Sequence, residues 1–229
     1  MKKTIHEAQA FFAEIENVFS DFALILAQHK NERSTNPVFI FPGNGEHNRI
    51  GTALYELCEP GGQVFIAGDD PAKSGILLKR DSDLMAPPFF LNKDLMRRSH
   101  HTFQGAAQNT REQAAWAARH IKREHTHNRY TINWIPRLAT SYYHLPRAYM
   151  TLVAELLRIY PDRDNPPPRI MPATTSHNPH ELVPAALKPA NTMIGGEIER
   201  IIEYRERGHV ATHDQLMDYL RRAITNGVR

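Results

Sequence analysis

Two short uninterrupted apolar runs on either side of a helical repeat constrain this chain more than any other feature. Val38-Phe39-Ile40-Phe41 and Val64-Phe65-Ile66-Ala67 are too short for helices and have no polar face, so they read as strands buried on both sides. Between them Ile50, Ala53, Leu54, Leu57 and Cys58 recur at i, i+3, i+4, i+7 and i+8, which is one apolar face of a helix. Strand, helix and strand in that order make a parallel pair joined by a right-handed crossover. The fold class expected is therefore α/β, a Rossmann-like three-layer sandwich with a mostly parallel sheet, to which N-terminal and C-terminal helices are added.

The turn after the first run is Pro42-Gly43-Asn44-Gly45-Glu46-His47-Asn48-Arg49. Glycines there let a ligand approach the backbone, and the N–H groups of Gly43, Asn44 and Gly45 are candidate donors to an anion. Asn48 stands where a dinucleotide fingerprint has its third glycine, and there is no Walker lysine, so a plain tight turn explains the stretch equally well. The second run ends at Gly68-Asp69-Asp70-Pro71. Ligands of open parallel sheets collect beyond the carboxyl ends of strands, where Asp69 and Asp70 would meet a hydroxyl or a metal; an Asp-Pro turn is the alternative.

Gln108 to Arg147 contains two further helix starts. Thr110-Arg111-Glu112-Gln113 has the form of a capping box, followed by a stripe of Ala114, Ala117, Ala118 and Ile121. A β-type segment with Ile132, Trp134, Ile135 and Leu138 leads to Thr140-Ser141, and Pro136 within it leaves two options: the strand stops before the proline or runs from Arg137 to Thr140. Pro146 then suits the first turn of a helix whose buried stripe is Leu145, Ala148, Tyr149, Leu152 and Leu156. Arg147 lies in that first turn. A cation at the positive end of the helix dipole costs about 0.3–1 kcal/mol, which a bound anion would reverse; a neighbouring Asp or Glu would do the same.

Residues 4 to 29 read as a long amphipathic helix, and residues 72 to 107 as an irregular segment without an assigned role. Arg169-Ile170-Met171 reads as a short strand. Two C-terminal helices follow, one with Ile194, Ile198, Ile201, Ile202 and Arg205 on a stripe and a stop at Gly208, the other with a capping box at Thr212-His213-Asp214-Gln215. The expected organisation is an N-terminal helix in residues 1–30, an α/β domain in 36–171, and a loop and helices in 172–229 that belong to the same domain.

The 28 basic and 25 acidic residues are spread along the chain, giving a net charge of +3 without a like-charge block, so nucleic acid is not expected as a partner. The single cysteine, Cys58, rules out an intramolecular disulfide and a cysteine-based zinc cluster. His100-His101 have no metal-ligand spacing, since adjacent residues do not face one another. Neither a signal peptide nor a membrane span fits the N-terminal segment, and a cytoplasmic, reducing setting is expected.

Three of these stretches carry a resemblance. Pro42 to Arg49, Asn109-Thr110-Arg111-Glu112 with its downstream alanines, and Thr140-Ser141-x-x-His144-x-x-Arg147-Ala148 are similar in order and spacing to the YdcF-like family, the bacterial domain that also includes SanA and ElyC. The likeness covers roughly Pro37 to Tyr160. It implies a Rossmann-like scaffold with a cleft lined by these motifs, S-adenosylmethionine as a possible cofactor, and a link to cell-envelope metabolism. The Ser-Gly-Gly and Glu-Ala features usual after the second strand are missing, replaced by Gly68-Asp69-Asp70 and the long segment that follows.

Residues and resemblance together lead to a small anionic or nucleotide-like ligand of the S-adenosylmethionine, nucleotide or phosphorylated-sugar class. Gly43, Asn44, Gly45, Arg49, Asp69, Asn109, Thr110, Glu112, Thr140, Ser141 and Arg147 are the expected binding residues. His144 is the candidate acid or base if chemistry occurs, because a histidine titrates near neutrality. A serine hydrolase built on Ser141 and His144 lacks the Gly-x-Ser-x-Gly elbow. The alternative from another class is a non-catalytic sensor or assembly module that meets a protein partner through its terminal helices.

Overall fold

The computed structural model describes residues 35–42, 53, 57–59, 61–68, 100–104, 107, 109–127, 134–141, 143–174, 182–183, 188–189 and 193–226. The N-terminal helix expected over 4–29, the Gly43–Arg49 turn, Asp69, Asp70 and most of 72–107 lie outside them.

Five strands form one parallel sheet: β1 (Val38–Ile40), β2 (Gln63–Ala67), β3 (His100–Gln104), β4 (Arg137–Thr140) and β5 (Met171–Thr174), in the spatial order β3-β2-β1-β4-β5. Helices among the described residues include α1 (Thr110–His127), α2 (Leu145–Ile159), α3 (Met193–Glu206) and α4 (His213–Asn226), and a two-residue antiparallel pair, β6 (Leu182–Val183) with β7 (Lys188–Pro189), precedes α3. The architecture is an α/β sandwich.

Side chains of the central strands alternate between two cores, as the period of two in a strand demands. Phe39, Phe41, Phe65, Ala67 and Leu138 pack with α1, α2 and residues of α3 and α4; Val38, Ile40, Val64, Ile66, Ala139 and Ala173 pack with Ala53, Leu57 and Cys58. Handedness explains the division. The chain steps from β1 to β2 in one direction along the sheet and from β3 to β4 to β5 in the other, so right-handed crossovers put their helices on opposite faces. Burial pushes the Cys58 thiol up to about 12, leaving it a core hydrophobe.

Phe39 and Phe65 are register partners, and their rings stack at 4.6 Å with Trp116 edge-on to Phe65 at 6.2 Å. Between the two options for Pro136, the strand begins after it. Pro136 has no N–H for the ladder, but its carbonyl accepts from Met171 N–H at 2.9 Å, and Arg137 N–H takes up the pairing by donating to Pro37 O at 2.9 Å. The segment read as irregular contains β3, an edge strand that starts at the histidine pair, and pairing with β2 rather than local pattern makes it a strand. The Arg169–Met171 strand is shifted to Met171–Thr174; it too is an edge, which is where a ladder tolerates Pro172.

The helix α2 is buried on every side from Leu145 to Leu156, wider than the stripe read from the sequence, because the sheet lies under it and α1, α3 and α4 flank it. The C-terminal helices share that core through Ile201, Val210, Ala211, Leu216, Tyr219 and Ala223. A Schellman turn ends α3: Gly208, at φ +68, donates to Arg205 O at 2.9 Å and His209 to Tyr204 O at 2.8 Å. The next helix opens with a reciprocal box in which Gln215 N–H reaches Thr212 Oγ1 and Thr212 N–H reaches Gln215 Oε1. Among the described residues no helix is long and apolar enough to cross a membrane.

Candidate functional site

The strand order reverses between β1 and β4, which lie side by side although the chain visits β2 and β3 between them. Their carboxyl ends diverge into different connections, and such a switch point is where open α/β sheets leave a crevice. The end of β1 at Phe41-Pro42, the β4–α2 turn at Ser141 to His144, and the start of α1 meet here.

The first helix is capped one residue earlier than the sequence pattern indicates. Asn109 Oδ1 accepts Glu112 N–H at 3.0 Å and Asn109 Nδ2 donates to Glu112 Oε1 at 2.8 Å, so the box is Asn109 with Glu112 and not Thr110 with Gln113. The displaced Gln113 turns inward instead. Its Nε2 donates to Ala67 O at 2.9 Å and Pro42 O at 3.3 Å, tying together the carboxyl ends of β1 and β2. Gly68, at φ +88, admits that amide: a Cβ there would lie 2.4 Å from Gln113 Nε2 and 2.9 Å from Ala107 O.

At the end of β4, Thr140 is fully buried and its hydroxyl donates to Phe41 O at 3.0 Å, so this expected ligand contact is a brace between two strand ends. Ser141 closes the turn into α2, its carbonyl accepting from His144 N–H at 3.0 Å and Leu145 N–H at 2.9 Å. The Ser141 hydroxyl, on a residue only 4% exposed, has no hydrogen-bond partner among the described residues. His144 is the N-cap of α2 but makes no side-chain cap bond, and the first turn holds no acidic residue.

Arg147 answers its dipole penalty within the protein. Glu197 of α3 receives Arg147 Nε on Oε2 at 2.5 Å and Nη2 on Oε1 at 3.2 Å, while Arg147 Nη1 donates to Thr110 Oγ1 at 2.9 Å. His144 Nδ1 lies 3.1 Å from Glu197 Oε2, and Arg200 Nη1 donates to Oε1 at 2.8 Å. The face of Tyr204 lies 5.8 Å from the Arg147 guanidinium carbon. Burial alone would raise the Glu197 carboxyl, but hydrogen bonding and charge from His144 and Arg147 outweigh it and hold the group well below the usual carboxylate range.

Of the expected residues, Thr110, His144 and Arg147 are thus brought into one cluster, and Ser141 and Thr140 stand in the adjoining turn. Asn109 and Glu112 are occupied with one another at the helix start. Gly43, Asn44, Gly45, Arg49 and Asp69 lie outside the described residues. Sequence reading missed Glu197 and Gln113. Each carried a signal, since Glu197 falls between Ile194 and Ile201 on an otherwise apolar stripe and Gln113 adjoins the alanine stripe. A polar residue on a buried face needs a buried partner.

Two guanidinium groups, Arg147 and Arg200, share the one carboxylate of Glu197. No protein-family model matches the chain, nor does any curated protein or solved structure.

Proposed function

We propose that the chain binds a small anionic or nucleotide-like molecule at the carboxyl ends of β1 and β4, on a YdcF-like scaffold. The observation that carries this is Ser141: a buried hydroxyl without a hydrogen-bond partner among the described residues, at the switch point and just before a 15-residue helix that has no side-chain cap. Orphaned buried hydroxyls cost about 1–3 kcal/mol, and a ligand oxygen would satisfy this one. The two guanidinium groups of the neighbouring cluster and the uncapped α2 terminus favour a negative ligand. The resemblance narrows the class to S-adenosylmethionine, nucleotides or phosphorylated sugars and links the protein to the cell envelope. If a reaction is catalysed, His144 is its acid or base, with Glu197 holding the ring at Nδ1.

A thermal-unfolding panel of S-adenosylmethionine, nucleotides and phosphorylated sugars tests the reading. A ligand at 100 times its Kd is expected to add about 2.7 kcal/mol of stability, and Ser141→Ala to weaken that gain. No shift with any member of the panel, or a shift indifferent to Ser141→Ala, overturns it.

A further inference from the structure

We propose that Glu197 is an internal substitute for the ligand: its carboxylate fills the anion subsite of the free protein and yields it when a carboxylate or phosphoryl group binds, releasing α3 from the cleft. This rests on the anion-binding reading above and adds its regulation.

The contacts of Glu197 are those of a bound anion. Both oxygens are used, Oε2 by Arg147 Nε and His144 Nδ1, Oε1 by Arg147 Nη2 and Arg200 Nη1. The Arg147 edge meets the two oxygens side by side, the fork geometry that carboxylates and phosphates both accept. Two of these donors belong to Arg147 at the start of α2, beside His144 Nδ1, which lies 3.1 Å from both Glu197 Oε2 and Arg147 Nη2, and an external anion there is favoured by the helix dipole. An anion taking the place of Glu197 finds the same donors already oriented, so the exchange costs little hydrogen bonding.

The helix that supplies Glu197 is lightly held. Among its described side chains, only Glu197 and Ile201 are buried, whereas α4 buries Leu216, Tyr219 and Ala223. Withdrawing Glu197 therefore removes one of the two buried anchors among the described side chains and leaves Ile201 with the partly buried Tyr204, and elements with few buried contacts are those that open locally. Arg200 is half exposed, so the subsite has a side reachable from solvent. Gly208, at φ +68 with open space around its Cα, is placed to absorb a change of angle between α3 and α4.

The test follows the full chain by calorimetry and by hydrogen exchange, with inorganic phosphate and with acetate as probes. Glu197→Gln keeps the shape and removes the competing charge, and is expected to bind the active probe at least tenfold more tightly than wild type. In the wild type, saturating probe is expected to speed exchange of amides in Met193–Glu206, where ordinary binding slows it. Response to phosphate alone assigns a phosphoryl group to the subsite, response to acetate alone a carboxylate. Equal or weaker binding by Glu197→Gln, or unchanged or slower exchange in α3, overturns the proposal while leaving an anion site in place. Binding of neither probe by either chain overturns both. The exchange measurement on wild type decides the matter if Glu197→Gln does not fold.

Discussion

Arg147 and Glu197, fifty positions apart in the chain, form a two-point ion pair between the first turn of α2 and α3, with Nε–Oε2 at 2.5 Å and side chains 10% and 4% exposed. Removing Glu197 leaves the Arg147 guanidinium buried without its carboxylate, and removing Arg147 leaves the buried Glu197 carboxylate only Arg200 and His144 as described partners. Arg147→Met or Glu197→Leu alone is expected to cost about 3–5 kcal/mol, and the double variant distinctly less than the sum of the two. Urea midpoints of the four chains measure it; additive losses would mean the pair does not act as a unit.

Acid weakens this contact in a predictable direction. The Glu197 carboxyl is depressed in the folded chain relative to an ordinary value of 4.5, so the stability it contributes is complete above that value and is lost as pH falls below it. Wild type is expected to lose stability more steeply than Glu197→Gln on acidification from pH 5 to roughly pH 3. Parallel curves from denaturant titrations at each pH would contradict the assignment.

Gly68 and Gln113 make a second coupled pair. Gly68→Ala forces a left-handed conformation worth about 1–2 kcal/mol on a residue with a side chain, and brings a methyl group to 2.4 Å from the Gln113 amide. The loss is expected to exceed the backbone term alone, and to shrink in a Gln113→Ala background without reaching it, because Ala107 O still lies 2.9 Å from the added methyl group. That second background itself orphans the carbonyls of Ala67 and Pro42, so it starts from lower stability.

The hydroxyl of Tyr219 fastens the approach to β5. It accepts Ile170 N–H at 2.8 Å and donates to Pro168 O at 2.9 Å, and the Tyr149 hydroxyl reaches Ile170 O at 3.0 Å. Tyr219→Phe keeps the packing and orphans two buried backbone groups, each worth on the order of 1–3 kcal/mol. The same change at exposed Tyr or Thr positions would be near neutral, so equilibrium unfolding of Tyr219→Phe isolates the hydrogen bonds.

Much of the scaffold is legible locally. Val38–Phe41 and Val64–Ala67 announce strands because a run buried on both faces has no polar alternation to confuse it. The stripes of α1 and α2, the Gly208 stop and the Thr212–Gln215 box follow from periodicity and capping, which depend on neighbours within a few residues. Less was visible of β3, whose partner is β2, and of the start of β4, where Pro136 left two options that only the Arg137 to Pro37 bond separates.

The candidate site divides along the same line. Composition, spacing and turn chemistry by themselves determined an α/β chain with Thr110, Ser141, His144 and Arg147 at helix starts, since those properties are written in short segments. Only the tertiary structure decided what these residues face: Arg147 and His144 meet Glu197 from a helix some fifty positions away, Gln113 leaves its cap for two strand ends, and the Ser141 hydroxyl is left without a hydrogen-bond partner among the described residues. Long-range pairing of buried charge depends on where whole elements come to rest, and short-range pattern holds no record of that.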